Sequence, residues 1–420
     1  MSQSSVTDQP VLYFGLDVGD RHTHVCCLDD GPKPVRRLKF PTTREGLAKV
    51  FGGAPRARIA LEVGSQSPWM SRFLRGLGHD VVVADARRVA QLVRGSRKTD
   101  RRDAETLAQL LRGMPQFLGE VHHRSEAGQA DMAVIRARDV LVKSRTKLVQ
   151  HVRGVLKSVG LRVRACSAES FDKVARPEIP GVLKPALEPL LDLLEDLRKR
   201  IRAFDKQVVE IGRKRYPETL RLRQISGVGS LTSLAFVLTL GDALRFSKSR
   251  KVGSWLGMVP RVQASGDKDP ALPISKAGSI YMRSLLTQSA HYILGPFGED
   301  CDLRRFGLRL CERGGKAQKG RAVVAVARKL AVLMHRLLLS DKPYEPLRNS
   351  PTTTEPEIRP DEVLDLKTGE VKPADSLLRE AREPRRQPRR PASSRAAARP
   401  ATDLAGPEKR KTTRRPPPPT

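Results

Sequence analysis

Three short strand-like segments follow one another near the N-terminus, at 11–18, 22–29 and 35–41, and only then do helix-like and strand-like segments alternate. This order limits the fold more than any other feature of the chain. Three residues, 19–21, separate the first two segments, so they must pair as a tight antiparallel hairpin. Residues 43–51 read as a helix with a Thr42, Thr43, Glu45 start. A strand at 58–63, a helix at 68–77, a strand at 80–84 and helices at 86–93 and 100–112 follow. A dinucleotide-binding fold alternates from its first strand. A meander followed by alternation instead predicts a ribonuclease-H-like α/β domain.

The charge says what such a domain would meet. The chain has 78 Lys and Arg against 46 Asp and Glu, a formal net charge of +32 in 420 residues. From Asp341 onward there are only 18 basic and 13 acidic residues, so most of the excess lies in the part able to fold. That balance points to a polyanion, a nucleic acid rather than a membrane. The most apolar stretch, 322–339, carries Arg328, Lys329, His335 and Arg336 and does not read as a membrane span. Residues 1–10 are polar and do not read as a leader. Five cysteines without a C-x-x-C pair suggest a reducing, cytoplasmic setting.

The middle of the chain reads as helical. Residues 132–159 form one long basic segment. Leu187, Leu190, Leu194, Leu197, Ile201, Phe204, Val208 and Ile211 then alternate spacings of three and four, an a/d seam. With Pro185 and Pro189 near its start, a continuous helix is expected from about Leu190. The seam fits a helical hairpin packed on 132–159 and a dimer contact equally well. Arg136, Arg138, Lys143, Arg145, Lys147, Arg153 and Lys157 suit a solvated surface or a nucleic-acid backbone.

From about Leu220 a mostly helical region opens with Ile-Ser-Gly-Val-Gly at 225–229, a helix-hairpin-helix-like signal that also suits a plain tight turn. A loop-rich stretch, 259–278, interrupts the helices and carries Ser265 beside Gly266. From Pro343 on, Pro, Arg, Ser, Thr and Ala dominate, a composition expected to be disordered.

Four carboxylates carry the chemistry. Asp17 ends the first strand and Glu62 ends the fourth, each in an otherwise apolar run. Asp100 and Asp103 lie three apart at a helix start, about 60° around the axis, on one side. If that helix packs on the sheet, the four converge, and their repulsion calls for cations. Oxygen donors select Mg²⁺ or Mn²⁺, and two such ions can clamp a phosphodiester. Taken singly, each has a plainer role: Asp17 a turn former, Glu62 a cap, Asp100 an N-cap, Asp103 a dipole partner. His22 and His24 share a strand face and read as an ordinary surface pair.

Gly-Leu-Asp-Val-Gly at 15–19, Glu-Val-Gly at 62–64 and Lys-Thr-Asp-Arg-Arg-Asp-Ala at 98–104 occur in order. They precede Ile-Ser-Gly-Val-Gly at 225, Leu-Gly-Met-Val-Pro at 256, Ser-Gly-Asp-Lys at 265 and Ile-Ser-Lys-Ala-Gly-Ser-Ile-Tyr-Met-Arg at 274. This set resembles the DEDD insertion-sequence transposases, the bridge-RNA-guided recombinases of bacterial mobile elements. The resemblance implies a RuvC-like domain at 10–118, a helical coiled-coil region at 119–218, a C-terminal transposase domain at 219–342 and a tail at 343–420. It implies Mg²⁺ on Asp17, Glu62, Asp100 and Asp103, and Ser265 as the nucleophile that forms a covalent link to DNA. It further implies a noncoding bridge RNA that pairs with donor and target DNA, and a homo-oligomer, dimer or tetramer, in the bacterial cytoplasm at the nucleoid. Asp267 and Asp269 depart from the Gly-rich loop of the family. Ser275 and Tyr281 are rival nucleophiles. A Holliday-junction-type endonuclease, attacking with water, is the alternative. An actin-like kinase lacks its second phosphate loop, and a scaffold would leave the carboxylates unexplained.

Overall fold

Side chains alternate across β1 (Tyr13–Val18), and the two faces bury different partners. Phe14 and Leu16 point into a core with Leu47 and Phe51 of α1 (Arg44–Phe51) and Met70 and Leu74 of α2 (Ser67–Gly76). Tyr13, Gly15 and Asp17 alternate to the opposite face. The computed structural model describes residues 11–31, 33–92, 99–262, 272–312, 314–340 and 342–349, and the backbone of two short strands beyond them.

β1 pairs antiparallel with β2 (His22–Leu28), which pairs antiparallel with β3 (Arg36–Pro41). On its other side β1 pairs parallel with β4 (Arg58–Glu62), and β4 with β5 (Asp80–Ala84). The order β3-β2-β1-β4-β5 is the ribonuclease-H-like sheet expected from the meander. α1 begins where Thr43 caps it, its side chain accepting from the N–H of Gly46. After α3 (Ala86–Leu92), α4 (Asp100–Gly113) covers the second face of the sheet, its Ala104, Leu107, Ala108 and Leu111 fully buried. Each such leucine contributes about 1.5–3 kcal/mol of burial.

α5 (Glu126–Ser158) starts six residues before the expected 132, where the Ser125 hydroxyl accepts from Gly128 N–H. Short α6 (Phe171–Ala175) leads to α7 (Lys184–Arg215). The expected start of α7 near Leu190 is wrong. Pro185 falls in the first turn, where its missing N–H has no helical partner to lose, and Pro189 forfeits a single ladder bond. Six of the eight seam residues are buried, and Leu191 takes the place of Leu190 in the core. The seam packs on α5 within the chain: Leu187, Leu191 and Leu194 meet Val149, Val152 and Leu156, while Val208 and Ile211 share a core with Met132 and Ile135. Buried Asp131 fastens the other end, accepting from Tyr216 Oη at 2.8 Å and from Arg215.

The C-terminal region is helical: α8 (Thr219–Leu222), α9 (Ser230–Leu240), α10 (Arg250–Trp255), α11 (Ile280–Leu294), α12 (Asp302–Cys311) and α13 (Lys316–Leu339). Gly227, at φ +86°, turns the chain between α8 and α9. A Cβ there would stand 3.0 Å from Tyr292 and 3.1 Å from the Ser289 carbonyl of α11, so this glycine serves close packing. Buried His335 on α13 meets the Ser249 hydroxyl at 2.9 Å and the Ala243 carbonyl at 3.0 Å.

The chain divides into two units, Met1–Ser350 and Pro351–Thr420. The tail does not begin at 343 as its composition suggested. Tyr344 packs against the C-terminal core, and Asp302 accepts from Asn349 at 2.8 Å. Further on, β6 (Glu362–Leu364) and β7 (Val371–Pro373) pair antiparallel. Most of the remaining tail expectation lies outside the described residues.

Candidate active site

The carboxyl ends of β1 and β4 lie side by side because Leu16 pairs with Leu61, which puts Asp17 and Glu62 one residue beyond on each strand. Asp17 shares the Gly15 face, Glu62 the Ala60 face, and both face α4. What brings α4 close enough is Gly15. A Cβ there would stand 2.0 Å from the Ala104 carbonyl oxygen and 2.4 Å from the Ala108 nitrogen. Only a residue without a side chain lets the helix backbone rest on the strand. Arg37 of β3 pairs with Glu105 at 2.8 Å, and Arg112 donates to the Asp29 carbonyl at 2.7 Å, fixing both ends of α4.

Thr99, not Asp100, caps α4: its hydroxyl accepts from Arg102 N–H at 3.4 Å. The Asp100 carboxylate is thereby released from the capping role and turns to the cleft with Asp103. All four carboxylates line one cavity of about 370 Å³, together with Asp20 and the Gly64–Ser67 turn. Burial raises the Asp17 carboxyl, and Asp100, Asp103 and Glu62 raise it further against the pull of His24, from 3.8 to about 6. A carboxylate held in that state is one short of positive charge.

His24 belongs to this site, and its reading as a surface residue is corrected. The hairpin register sets His24 directly opposite Asp17. Its Nδ1 lies 3.5 Å from an Asp100 carboxylate oxygen, and ligand atoms of Asp17, His24 and Asp100 all fall within 4.8 Å of one another. The pairing comes from a tighter turn than 19–21: Gly19 N–H donates to the His22 carbonyl at 3.1 Å, so Asp20 and Arg21 alone make the turn and His24 falls opposite Asp17. The oxygen donors suit Mg²⁺, and an added imidazole moves the preference toward Mn²⁺.

Ser265 lies outside the described residues. The strands of its loop do not: Pro260 bridges Ile274, Arg261 N–H donates to the Pro273 carbonyl at 3.0 Å and Ser275 N–H to the Val259 carbonyl at 2.8 Å. Two glycines make this base. A Cβ on Gly257, at φ +68°, would stand 2.2 Å from Ala277 N, and one on Gly278 would stand 2.3 Å from the Trp255 carbonyl. Leu-Gly-Met-Val-Pro and Ile-Ser-Lys-Ala-Gly-Ser thus meet backbone to backbone. Arg87 of α3 donates to the Ala277 carbonyl at 2.6 Å, tying the sheet domain to this base. Tyr281 is buried under the Arg136 guanidinium, 4.4 Å from its ring centre, which removes it as a rival nucleophile. Ser275 is half-buried at the base. Of the middle-helix cations, Arg136 and Arg153 lie over rings and Arg138 pairs with Asp205, while Lys147 and Lys157 are exposed. Among the described residues no helix is long and apolar enough to cross a membrane.

Both the sheet domain and the C-terminal region are similar to known proteins. Residues 14–160 match a DEDD-type family described as "Transposase", and residues 220–296 match the "Transposase IS116/IS110/IS902 family". The transposase for insertion sequence element IS1111A of Coxiella burnetii is 30% identical over 346 residues, 80% of this chain and 91% of that protein. A probable family 20 transposase of Pseudomonas aeruginosa is 30% identical over 337 residues, 78% of this chain and 94% of that protein. The transposase for insertion sequence element IS1328 of Yersinia enterocolitica is 29% identical over 67% of this chain and 83% of that protein.

Proposed function

From the premise that this chain belongs to the IS116/IS110/IS902 family of insertion-sequence transposases, and is an enzyme of DNA recombination, we propose that it cuts and rejoins DNA at the cleft of Asp17, Glu62, Asp100 and Asp103, with Ser265 as nucleophile. The observation that carries this reading is the convergence of carboxylates from β1, β4 and α4 in one cavity, with Asp17 held at about 6. A divalent cation bound there withdraws charge from a phosphate and eases attack on phosphorus. Asp17, Glu62, Asp100 and Asp103 would hold such a cation, and His24 would orient Asp100 or join the ligand set.

The Ser265 hydroxyl attacks phosphorus and gives up its proton. A phosphorus–oxygen bond to serine forms as the bond to one strand end breaks, and that end leaves as a free hydroxyl. Attack by a hydroxyl of another strand reverses the step, so the bond is conserved and no outside energy source is needed. With aromatics only 4% of the chain, base reading by stacking has little support, and guidance by a noncoding RNA that pairs with donor and target DNA fits better. The working form is a homo-oligomer in which the carboxylates of one protomer serve the Ser265 of another.

Denaturing gels of enzyme with labelled DNA test this. Wild type and Asp103→Asn should be compared with Ser265→Ala, which should leave no covalent protein–DNA adduct and no recombinant while nucleic-acid binding persists. Recombination at near-normal rate by Ser265→Ala would sink the serine step. Mixing Asp17→Ala with Ser265→Ala protein should restore recombination if the site is shared between protomers. A second reading, a structure-specific endonuclease attacking with water, rests on the same cleft, since four carboxylates suffice for hydrolysis. It predicts nicked product without an adduct.

A further inference from the structure

A second cavity, of about 390 Å³, adjoins the acidic cleft and carries the opposite charge. Val63 lines both, and a 2.9 Å hydrogen bond between Ser67 on the first wall and His123 on the second joins them. Arg124, Arg245, His122 and His123 line the new cavity with Trp255. Asp242 also lines it, with one carboxylate oxygen occupied by the N–H of Leu244 at 2.8 Å.

Arg245 is the centre of the argument. Its guanidinium lies over Phe246 and Trp255, 4.5 and 4.7 Å from their ring centres, so its plane is fixed before any ligand arrives. Yet its Nε is buried with no hydrogen-bond partner. Buried donors are nearly always satisfied, so an open guanidinium N–H costs free energy and marks a side chain that the fold alone does not account for. Burial, then the like charges of Arg136 and Arg245, press on Arg124 beside it. A stacked, pre-oriented guanidinium with a second one adjacent suits the non-bridging oxygens of a phosphate.

We propose that this cavity binds the phosphodiester backbone of the DNA strand entering the acidic cleft, with Arg245 and Arg124 contacting a phosphate next to the one that reacts. The proposal rests on the cleft being the site of strand cleavage. The arginine cavity would hold the backbone next to the phosphate that enters the cleft, so that the reacting bond is presented in one register.

Full-length protein should be titrated by fluorescence anisotropy with labelled single-stranded DNA, duplex DNA and RNA across a salt series. Arg245→Gln should weaken DNA binding about tenfold. The slope of log affinity against log salt should become shallower by about 0.7 for the single strand and about 0.9 for the duplex. Arg245→Lys should keep the slope and lose part of the affinity. His122→Glu alters an exposed side chain, poses little risk to folding, and should weaken DNA binding severalfold by adding a negative charge to the same cavity. Unchanged DNA affinity and slope in both Arg245→Gln and His122→Glu would overturn the proposal, and a loss confined to RNA would overturn the assignment to DNA. Asp17→Asn separates the two readings: it should abolish cleavage and leave the Arg245-dependent salt slope in place. Cleavage by Asp17→Asn would defeat the cleft reading, and with it the placement of this phosphate next to the reacting one, while the Arg245-dependent salt slope would still report backbone binding in the cavity.

Discussion

The acidic cleft and the base of the Ser265 loop are built by the same device. In each, glycine lets two backbones touch: Gly15 under α4, and Gly257 and Gly278 between 255–258 and 276–278. They differ in what the contact delivers. At Gly15 the helix pressed onto the strand itself carries Asp100 and Asp103, so packing and chemistry belong to the same elements. At Gly257 and Gly278 the paired segments 255–258 and 276–278 bring none of the four carboxylates with them, so packing and acidic cleft belong to different elements. Close packing at Gly15 therefore positions Asp100 and Asp103 directly, and close packing at Gly257 positions only the backbone on either side of 263–271.

Breaking each side should give different signatures. The largest effect is expected from Asp17→Ala, a loss of strand cleavage on the order of a thousandfold or more, with Mn²⁺ binding by calorimetry lost as well. Wild-type activity persisting in EDTA would remove metal from the account. Gly15→Ala should come next. Its Cβ must push α4 off β1, costing about 1–3 kcal/mol of stability and, by misplacing two carboxylates, on the order of a hundredfold in rate, together with Mn²⁺ affinity. Gly257→Ala is the sharpening partner. It should cost comparable stability and strand transfer, while Mn²⁺ binding at the cleft stays as in wild type. Loss of Mn²⁺ binding in Gly257→Ala would show that the two halves are one packed unit and end the comparison.

A smaller change is expected from His24→Asn. The Asp100 contact at 3.5 Å is removed and the preference for Mn²⁺ over Mg²⁺ falls, with activity down about tenfold. The smallest effect is on stability without metal. The Asp17 carboxyl titrates near 6 in the fold against 3.8 ordinarily, so its contribution is fully present below about 3.8 and is lost as pH rises through 6. In chelator, Asp17→Asn should therefore melt a few degrees above wild type at pH 7 and lose that advantage as pH falls toward 4. An advantage that grows on acidification would reverse the sign and refute the linkage.

Much of the sheet domain was legible because its signals are local. Alternation, a three-residue turn and a capping threonine need no distant partner, and they placed all five strands and Asp17, Glu62, Asp100 and Asp103. His24 was not legible in this way, because a three-residue turn at 19–21 would set Thr23 opposite Asp17, whereas the strands close on Gly19 and His22 and bring His24 there. The start of α7 at Lys184 is not legible from its prolines, because the cost of proline in a helix depends on its depth: none in the first turn at Pro185, one ladder bond at Pro189. The segment 342–349 looked like tail by composition, and only long-range contacts, Tyr344 on the core and Asn349 on Asp302, hold it. The C-terminal glycine motifs were visible as motifs, but that 257 meets 277 could not be read from either alone.

The turn at residues 19–21 has a consequence at the level of the gene. Side-chain facing along β2 has a period of two, so a single codon gained or lost in that turn would carry His24 away from Asp17 and turn Cys26 and Leu28 out of the face that packs on α4. Reading frame would be kept and nearly all the protein sequence with it. An element's descendants bearing such a three-base change would be intact open reading frames with a ruined cleft, so counting uninterrupted copies in a genome would overstate how many can still move.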